Sequence, residues 1–202
     1  NQYKADDFKL ALTDSSRNFR KNIYPHYKSR RSRVKKPIVL KHVRDWLVND
    51  HKAYLRSGLE GDDILGILAT HKSIVKGERV IFSVDKDLKQ IPGLHAQDGT
   101  IVEISDDDAY RHFLFQVLTG DSTDGYPGLP GCGPKKAAEK LNKVPRKDLW
   151  SVVVDAYESS GLSEADAITQ ARCARILTAD LYDFQRKEPI LWTPLLTTAA
   201  TR

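Results

Sequence analysis

Carboxylates gather at three places in this chain: Glu60-Gly61-Asp62-Asp63, Asp85-Lys86-Asp87 and Asp121-Ser122-Thr123-Asp124. Each cluster follows or ends an apolar run, where a strand gives way to a loop or a helix begins. Carboxylates brought together repel one another, and burying them unpaired is costly. Divalent cations resolve that conflict by taking oxygen ligands. Soon after the third cluster comes Gly128-Leu129-Pro130-Gly131-Cys132-Gly133-Pro134-Lys135-Lys136. Gly131 and Gly133 allow backbone angles that other residues resist and let a phosphodiester approach main-chain N–H groups at a helix start. Pro134 suits the first helical position, and Lys135 and Lys136 add positive charge. An isolated G-x-G is no more than a tight turn. The full pattern with trailing lysines is the kind that helix–hairpin–helix proteins use to grip a DNA backbone without reading bases. Acids suited to metal beside a turn suited to phosphate are what a metal-dependent nuclease requires.

The bulk properties agree. A chain of 202 residues can build one sizeable core with a small appended subdomain. The net charge of +5 is mild, but its distribution is not: residues 17–44 contain many Lys and Arg and no Asp or Glu. Phe19, Tyr24, His26 and Tyr27 are interleaved with those cations. The plain reading is a solvated basic face. The absence of acids and the interleaved aromatics favour a phosphate-tracking segment, a mobile loop or short helices over the surface, carrying Arg17, Arg20, Lys21 and Arg30. Cys132 and Cys173 form no disulfide framework, so a reducing, cytoplasmic setting is expected. No apolar stretch nears the ~20 residues of a membrane span. The chain begins at Asn1 and contains no Met, which reads as a processed or excised fragment.

The elements that would position these groups follow an α/β pattern. Residues 8–12 read as a strand ending near Asp14, which is either a ligand at a strand's carboxyl end or a plain helix cap. Residues 39–55 have helical spacing, with Trp46 expected in the core. Residues 64–69 read as a buried helix with Asp62 and Asp63 in its first turn, favoured there by the helix dipole. A cap accounts for one of those acids and not for all three. Residues 79–84 form a short apolar strand ending at Asp85, and residues 100–104 a further strand. Asp106, Asp107 and Asp108 are expected to cap the helix over residues 109–118 and to be solvated, not to bind a ligand. Helices are expected from residue 135 and, as a pair, over residues 146–179, with a frayed tail from residue 189. The division expected is a nuclease core over residues 1–118, including a basic arch at 17–44, and a helix–hairpin–helix region with C-terminal helices over 119–202.

These motifs resemble, in order, those of the 5′-nuclease superfamily of flap endonucleases and phage 5′→3′ exonucleases, and look closest to the exonucleases of small tailed phages. Glu60-Gly61-Asp62-Asp63 resembles E-x-D-D, and Ser83-Val84-Asp85-Lys86-Asp87 resembles S-x-D-x-D. Gly120-Asp121-Ser122-Thr123-Asp124 resembles G-D-x-x-D-N, with Gly125 in place of Asn. The resemblance implies a mostly parallel central sheet flanked by helices, with a helix–three-turn–helix element that binds duplex backbone. It implies two or more Mg²⁺ (or Mn²⁺) ions, with K⁺ at the hairpin. Asp14, Glu60, Asp62 and Asp63 would form the first metal site, Asp85 and Asp87 would lie between the sites, and Asp121 and Asp124 would complete the second. Tyr27-Lys28-Ser29-Arg30-Arg31 resembles the Y-K-x-x-R segment, which implies that Lys28 and Arg31 contact the scissile phosphate.

The resemblance also implies a central first strand bearing an aspartate, upstream of Phe8. Asp6 and Asp7 lie too close to the next strand to replace it. A second polypeptide supplying that strand, a fragment, and a degenerate site all stay open. The leading expectation is a metal-dependent nuclease on duplex or flapped DNA. The alternative is a non-catalytic DNA-binding subunit or fragment that needs a partner chain, and RNA–DNA hybrid is a further substrate.

Overall fold

The computed structural model describes residue 3, residues 5–30, residue 35 and residues 37–194. Two short parallel strands, β1 (Ala11–Leu12) and β2 (Tyr54–Leu55), pair at the front of the chain. Between them run the single-turn helix α1 (Arg20–Ile23) and α2 (Leu40–Asn49). Helix α3 (Gly61–Thr70) follows, then a second sheet in the order β3 (Val80–Phe82), β4 (Gly93–Gln97), β5 (Thr100–Ile104). The remainder is mostly helical: α4 (Asp106–Thr119), α5 (Pro134–Leu141), α6 (Leu149–Glu158) and α7 (Glu164–Ala174). An antiparallel pair, β6 (Tyr182–Asp183) and β7 (Glu188–Pro189), closes the described chain.

The single mostly parallel sheet expected from sequence is thus corrected, among the described residues, to small separate sheets. β3 and β4 are parallel, whereas β4 and β5 form an antiparallel hairpin. Asp98 and Gly99 turn that hairpin with φ of 47° and 83°. An Asp-Gly pair is the residue choice such a two-residue turn demands. It was the local signal for β4, a strand the apolar pattern alone does not reveal.

Helix α4 organises the core. Phe113, Leu114, Val117 and Leu118 are fully buried and belong to one cluster with Leu59 and Ile64 on one side and Ala137, Leu149, Val153 and Tyr157 on the other. Each such side chain contributes roughly 1.5–3 kcal/mol by leaving water. The cluster runs through the boundary expected at 118/119 without a break. Arginine and tyrosine from the basic segment also enter the interior, since Arg20 and Tyr27 are buried. Of the mobile loop or short helices expected over the surface, the first part is the short helix α1, and it is anchored inward, because Phe19 and Tyr24 pack on the core. Trp46 is corrected in the opposite sense: it is 53% exposed on α2, where it rests edge-on against His51. Trp192, expected in a frayed tail, is buried against Phe113 and Trp150. Residues 195–202 lie outside the described residues.

Candidate active site

The three acidic clusters arrive at one cleft of about 480 Å³. Glu60, Asp62, Asp85, Asp87, Asp121 and Asp124 all line it, with Thr13, Lys28 and Lys86. Different elements deliver each pair. Glu60 precedes α3 and Asp62 lies in its first turn. Asp85 caps the 3₁₀ turn Lys86–Gln90, its Oδ1 accepting the Asp87 N–H at 2.9 Å. That turn is clipped to the helices by buried Gln90, which donates to Gln116 Oε1 and to the Ala174 carbonyl and accepts from the Ile176 N–H. Asp121 and Asp124 sit in the tight loop after α4, where Asp121 Oδ1 accepts the Thr123 and Asp124 N–H groups.

Glycines make this loop possible. Gly120 and Gly128 lie back to back: a Cβ on Gly120 would stand 2.3 Å from the Pro127 carbonyl carbon, and one on Gly128 would stand 2.2 Å from the Gly120 nitrogen. Gly125, where the resemblance leads one to expect Asn, has φ +80° and would bring a Cβ to 3.1 Å from the His26 carbonyl. In the hairpin, Gly131 has φ +70° as expected, but Gly133 does not need glycine's freedom. Its φ of −75° and ψ of 177° are ordinary extended backbone at the N-cap of α5.

Two side chains tie the clusters together. The Tyr27 hydroxyl lies 2.9 Å from both Glu60 Oε2 and Asp124 Oδ2, so its one proton serves two carboxylates in turn. Lys28 Nζ pairs with Glu60 Oε1 and lies 3.3 Å from Asp124 Oδ2. Lys28 adopts φ 52°, and its N–H donates to the Asp124 carbonyl at 2.6 Å, so the basic segment is stitched to the third acidic loop through its main chain as well. Thr13 and Lys86 line the cleft without a role assigned from sequence, and Tyr27 lies buried behind it. Tyr27 stood in a quoted motif, but nothing in its spacing announced a bridge to Glu60.

Four expected assignments are corrected. Arg20 is not a DNA-contacting surface residue: it is 2% exposed and makes a bidentate pair with Asp63, at 2.8 and 2.7 Å. Its remaining N–H groups donate to the Cys173 and Arg175 carbonyls. Asp63, expected as a metal ligand, is engaged by the pair with Arg20 and does not line the cleft. It is 0% exposed, and besides Arg20 it accepts the Glu60 and Leu177 N–H groups. Asp14 is a loop cap, with Oδ1 accepting the Ser16 N–H and hydroxyl and Oδ2 accepting the Gly58 N–H. The fourth is the conformational argument for Gly133, given above. Arg17, Lys21 and Arg30 are exposed, as are Gly131, Lys135 and Lys136, and Lys136 Nζ donates to the Gly131 carbonyl. Arg31 lies outside the described residues.

The electrostatics of the cleft are those of an unmet demand for positive charge. Burial and the facing carboxylates of Asp85, Glu60 and Asp63 push Asp62 up to about 6. Burial, then Asp85 and Asp121, push Asp87 up to about 6. Burial would also raise Glu60, but Arg20 and Lys28 outweigh it and hold that carboxyl below its usual range. Asp87 Oδ1 is buried and has no hydrogen-bond partner. A divalent cation fits this donor set: hard oxygen ligands, excess negative charge and an orphaned carboxylate oxygen. Among the described residues no three ligands already converge on one point. Ions here would keep part of their water shell, as Mg²⁺ does when bound through few carboxylates.

The chain matches the profile of the 5′–3′ exonuclease N-terminal resolvase-like domain over residues 1–113. It is 34% identical over 220 residues to the exonuclease of Escherichia phage T7, covering 92% of this chain and 73% of that protein. It is 28% identical over 185 residues to the flap endonuclease Xni of Shewanella oneidensis, covering 85% of this chain and 70% of that protein. In fold it is similar to the T5 D15 protein co-crystallised with metal ions, with a TM-score of 0.50 at 16% identity over 82% of this chain and 75% of that one. With its acidic motifs assembled in one cleft and these similarities spanning most of its length, the chain belongs to the 5′–3′ exonuclease family of nucleases.

Proposed function

We propose that the chain hydrolyses phosphodiesters of duplex or flapped DNA from the 5′ side, with two or more divalent cations, Mg²⁺ or Mn²⁺, held by Glu60, Asp62, Asp85, Asp87, Asp121 and Asp124. The observation that carries this is the convergence of those six carboxylates from three separate segments on one cleft, with Asp87 Oδ1 left orphaned there. Such ions, when bound, lower the pKa of an attacking water and stabilise the leaving oxygen. The chain's own groups do the rest. Lys28, already in the cleft between Glu60 and Asp124, is placed to neutralise charge building on the phosphate. Arg31 is proposed to join it. Tyr27 and the Arg20–Asp63 pair hold Glu60 in place from behind. The exposed cations Arg17, Lys21, Arg30, Lys135 and Lys136, with Gly131 and Gly133 at the hairpin, would follow the backbone of the substrate without reading its sequence. Residues 119–202 would act as the helix–hairpin–helix part. A K⁺ ion at that hairpin is part of the same proposal, and the Lys136 ammonium that the Gly131 carbonyl now accepts from would give way to it. RNA–DNA hybrid is a secondary substrate of the same chemistry.

A second reading, in which another segment completes the core, is favoured by the state of β3. Val80, Phe82 and Val84 alternate onto one largely exposed face, where Phe82 is 72% exposed and meets the Tyr3 ring edge-on, and β4 is β3's only strand partner among the described residues. A further strand and its covering element, from a partner polypeptide or a longer chain, would satisfy both the open edge and that face.

No described helix is long and apolar enough to cross a membrane. The two free, buried cysteines support a reducing cytoplasmic setting, that of the host for a phage protein. The test is cleavage of 5′-labelled duplex and flap DNA by this chain with Mg²⁺ and with chelator. Metal-dependent release of 5′ products is expected. Retained DNA binding with no cleavage at any metal concentration would favour the non-catalytic or partner-dependent reading instead.

A further inference from the structure

Helices α3 and α4 each have one end at the acidic cleft and the other at a second, larger cavity of about 1000 Å³. Ala69 and Thr70 at the end of α3 line it, with Asp106, Ala109 and Tyr110 at the start of α4. A ten-residue helix separates the two sites by roughly 15 Å. The acids of one site therefore do not touch the other.

Arg175 lines this cavity at the end of α7. Its guanidinium lies 5.1 Å from the Phe113 ring centroid. Its Nε is buried and has no hydrogen-bond partner, and no carboxylate among the described residues comes within ion-pair distance of it. On the same wall, three residues on, Thr178 is 4% exposed, and its hydroxyl is likewise buried and unpartnered. The other arginines on the wall are employed: Arg79 donates to the His71 carbonyl and Arg146 to that of Asp106. A buried guanidinium Nε and a buried hydroxyl, both without partners on the wall of one cavity, cost stability unless something satisfies them.

We infer that this cavity is an oxyanion site in which the Arg175 guanidinium and the Thr178 hydroxyl receive a single phosphate group, free or as the terminus of a small monoester. Both groups can donate to phosphate oxygens, and arginine suits phosphate because its N–H groups are rigid and planar. The rim narrows the choice of occupant. Glu78, Glu103, Asp106 and Asp180 line it as exposed carboxylates, against the exposed cation Lys72. The carboxylates repel a polyanion such as a DNA strand, while a small monoanion or dianion can pass to the cation inside. Burial pushes Arg175 down to about 10, with Asp180 opposing that fall and Arg146 adding to it, so a bound anion would be relieving a strained charge. The inference does not rest on the nuclease reading, because none of these residues lines the acidic cleft.

The test is calorimetric titration of the whole chain, in chelator, with inorganic phosphate and separately with a 5′-deoxymononucleotide. Saturable binding of phosphate is expected, at least tenfold weaker in Arg175→Met and several-fold weaker in Thr178→Val. Thr178→Val keeps the volume of the side chain, so it preserves the test if Arg175→Met misfolds. Circular dichroism on each variant establishes that it is folded. A mononucleotide binding tenfold tighter than phosphate would identify the monoester as the source, and equal affinities would identify free phosphate. No saturable phosphate binding, or binding unchanged in both folded variants, would overturn the site.

Discussion

Two acidic runs in this chain look alike and come to different ends. Glu60-Gly61-Asp62-Asp63 and Asp106-Asp107-Asp108 both open helices, where negative charge is favoured. At α4, Ser105 supplies the cap, Asp107 pairs with Arg111 one turn on, and all three acids are at least partly solvated. At α3, the acids are divided among three tasks. Asp63 is sealed against Arg20, Glu60 is shared by Lys28 and Tyr27, and Asp62 faces Asp85 across the cleft. Helix-start chemistry is common to both runs. What makes only one of them a site is that two other acid-bearing segments end beside it, and that a basic segment folds over it.

Breaking that convergence should have the largest effect. Asp85→Ala is expected to reduce Mg²⁺-dependent cleavage to background while DNA binding is retained or improves, since the change removes negative charge from the cleft proposed to receive DNA. Parallel loss of binding and cleavage in a gel-shift and nuclease assay would count against the assignment. Next comes the buried pair. Asp63→Ala leaves the Arg20 guanidinium buried without its carboxylate and should cost about 3–5 kcal/mol in urea unfolding. A loss below 1 kcal/mol would mean that the pair is dispensable.

A smaller effect, and one with a pH signature, belongs to Asp14. Burial would raise this carboxyl, but hydrogen bonds from Ser16, Gly58 and Arg17 outweigh it and hold it at about 2. A carboxyl lowered on folding adds stability that is present above its unfolded value near 4 and is lost as pH falls through its folded value of about 2. Asp14→Asn should therefore be less stable by roughly 1 kcal/mol at pH 7, after allowance for solvent screening, with the difference shrinking below pH 4 and gone by about pH 1. A constant difference across that range would show that the carboxylate's charge is not what matters. Smallest of all, Asp107→Ala should shift stability by no more than about 0.5 kcal/mol, because its pair with Arg111 is exposed. A larger loss would erase the distinction between the two runs.

Much of this was legible along the chain. Local rules sufficed for Pro134 opening α5, for the acids in the first turn of α3, for Ser105-led capping of α4, and for strand β5 at residues 100–104. That the three acidic clusters belong together was read from residue types and spacing, whereas the individual ligand roles, those of Asp14 and Asp63 included, came only with the family resemblance. Sequence could not assign partners. Arg20 sits among a run of cations that reads as surface, and only long-range contact with Asp63 and with the carbonyls of Cys173 and Arg175 takes it inside. Tyr27 as a bridge between Glu60 and Asp124, and Asp14 as a cap bonded to Gly58, depend on loops distant in sequence meeting in space. The unpaired Arg175 is of the same kind, since a missing partner is a property of a packed neighbourhood. Residue type and periodicity determine which groups can do chemistry. Which of them face the cleft, which are spent holding it together and which are left unsatisfied is decided only when packing fixes each side chain's neighbours.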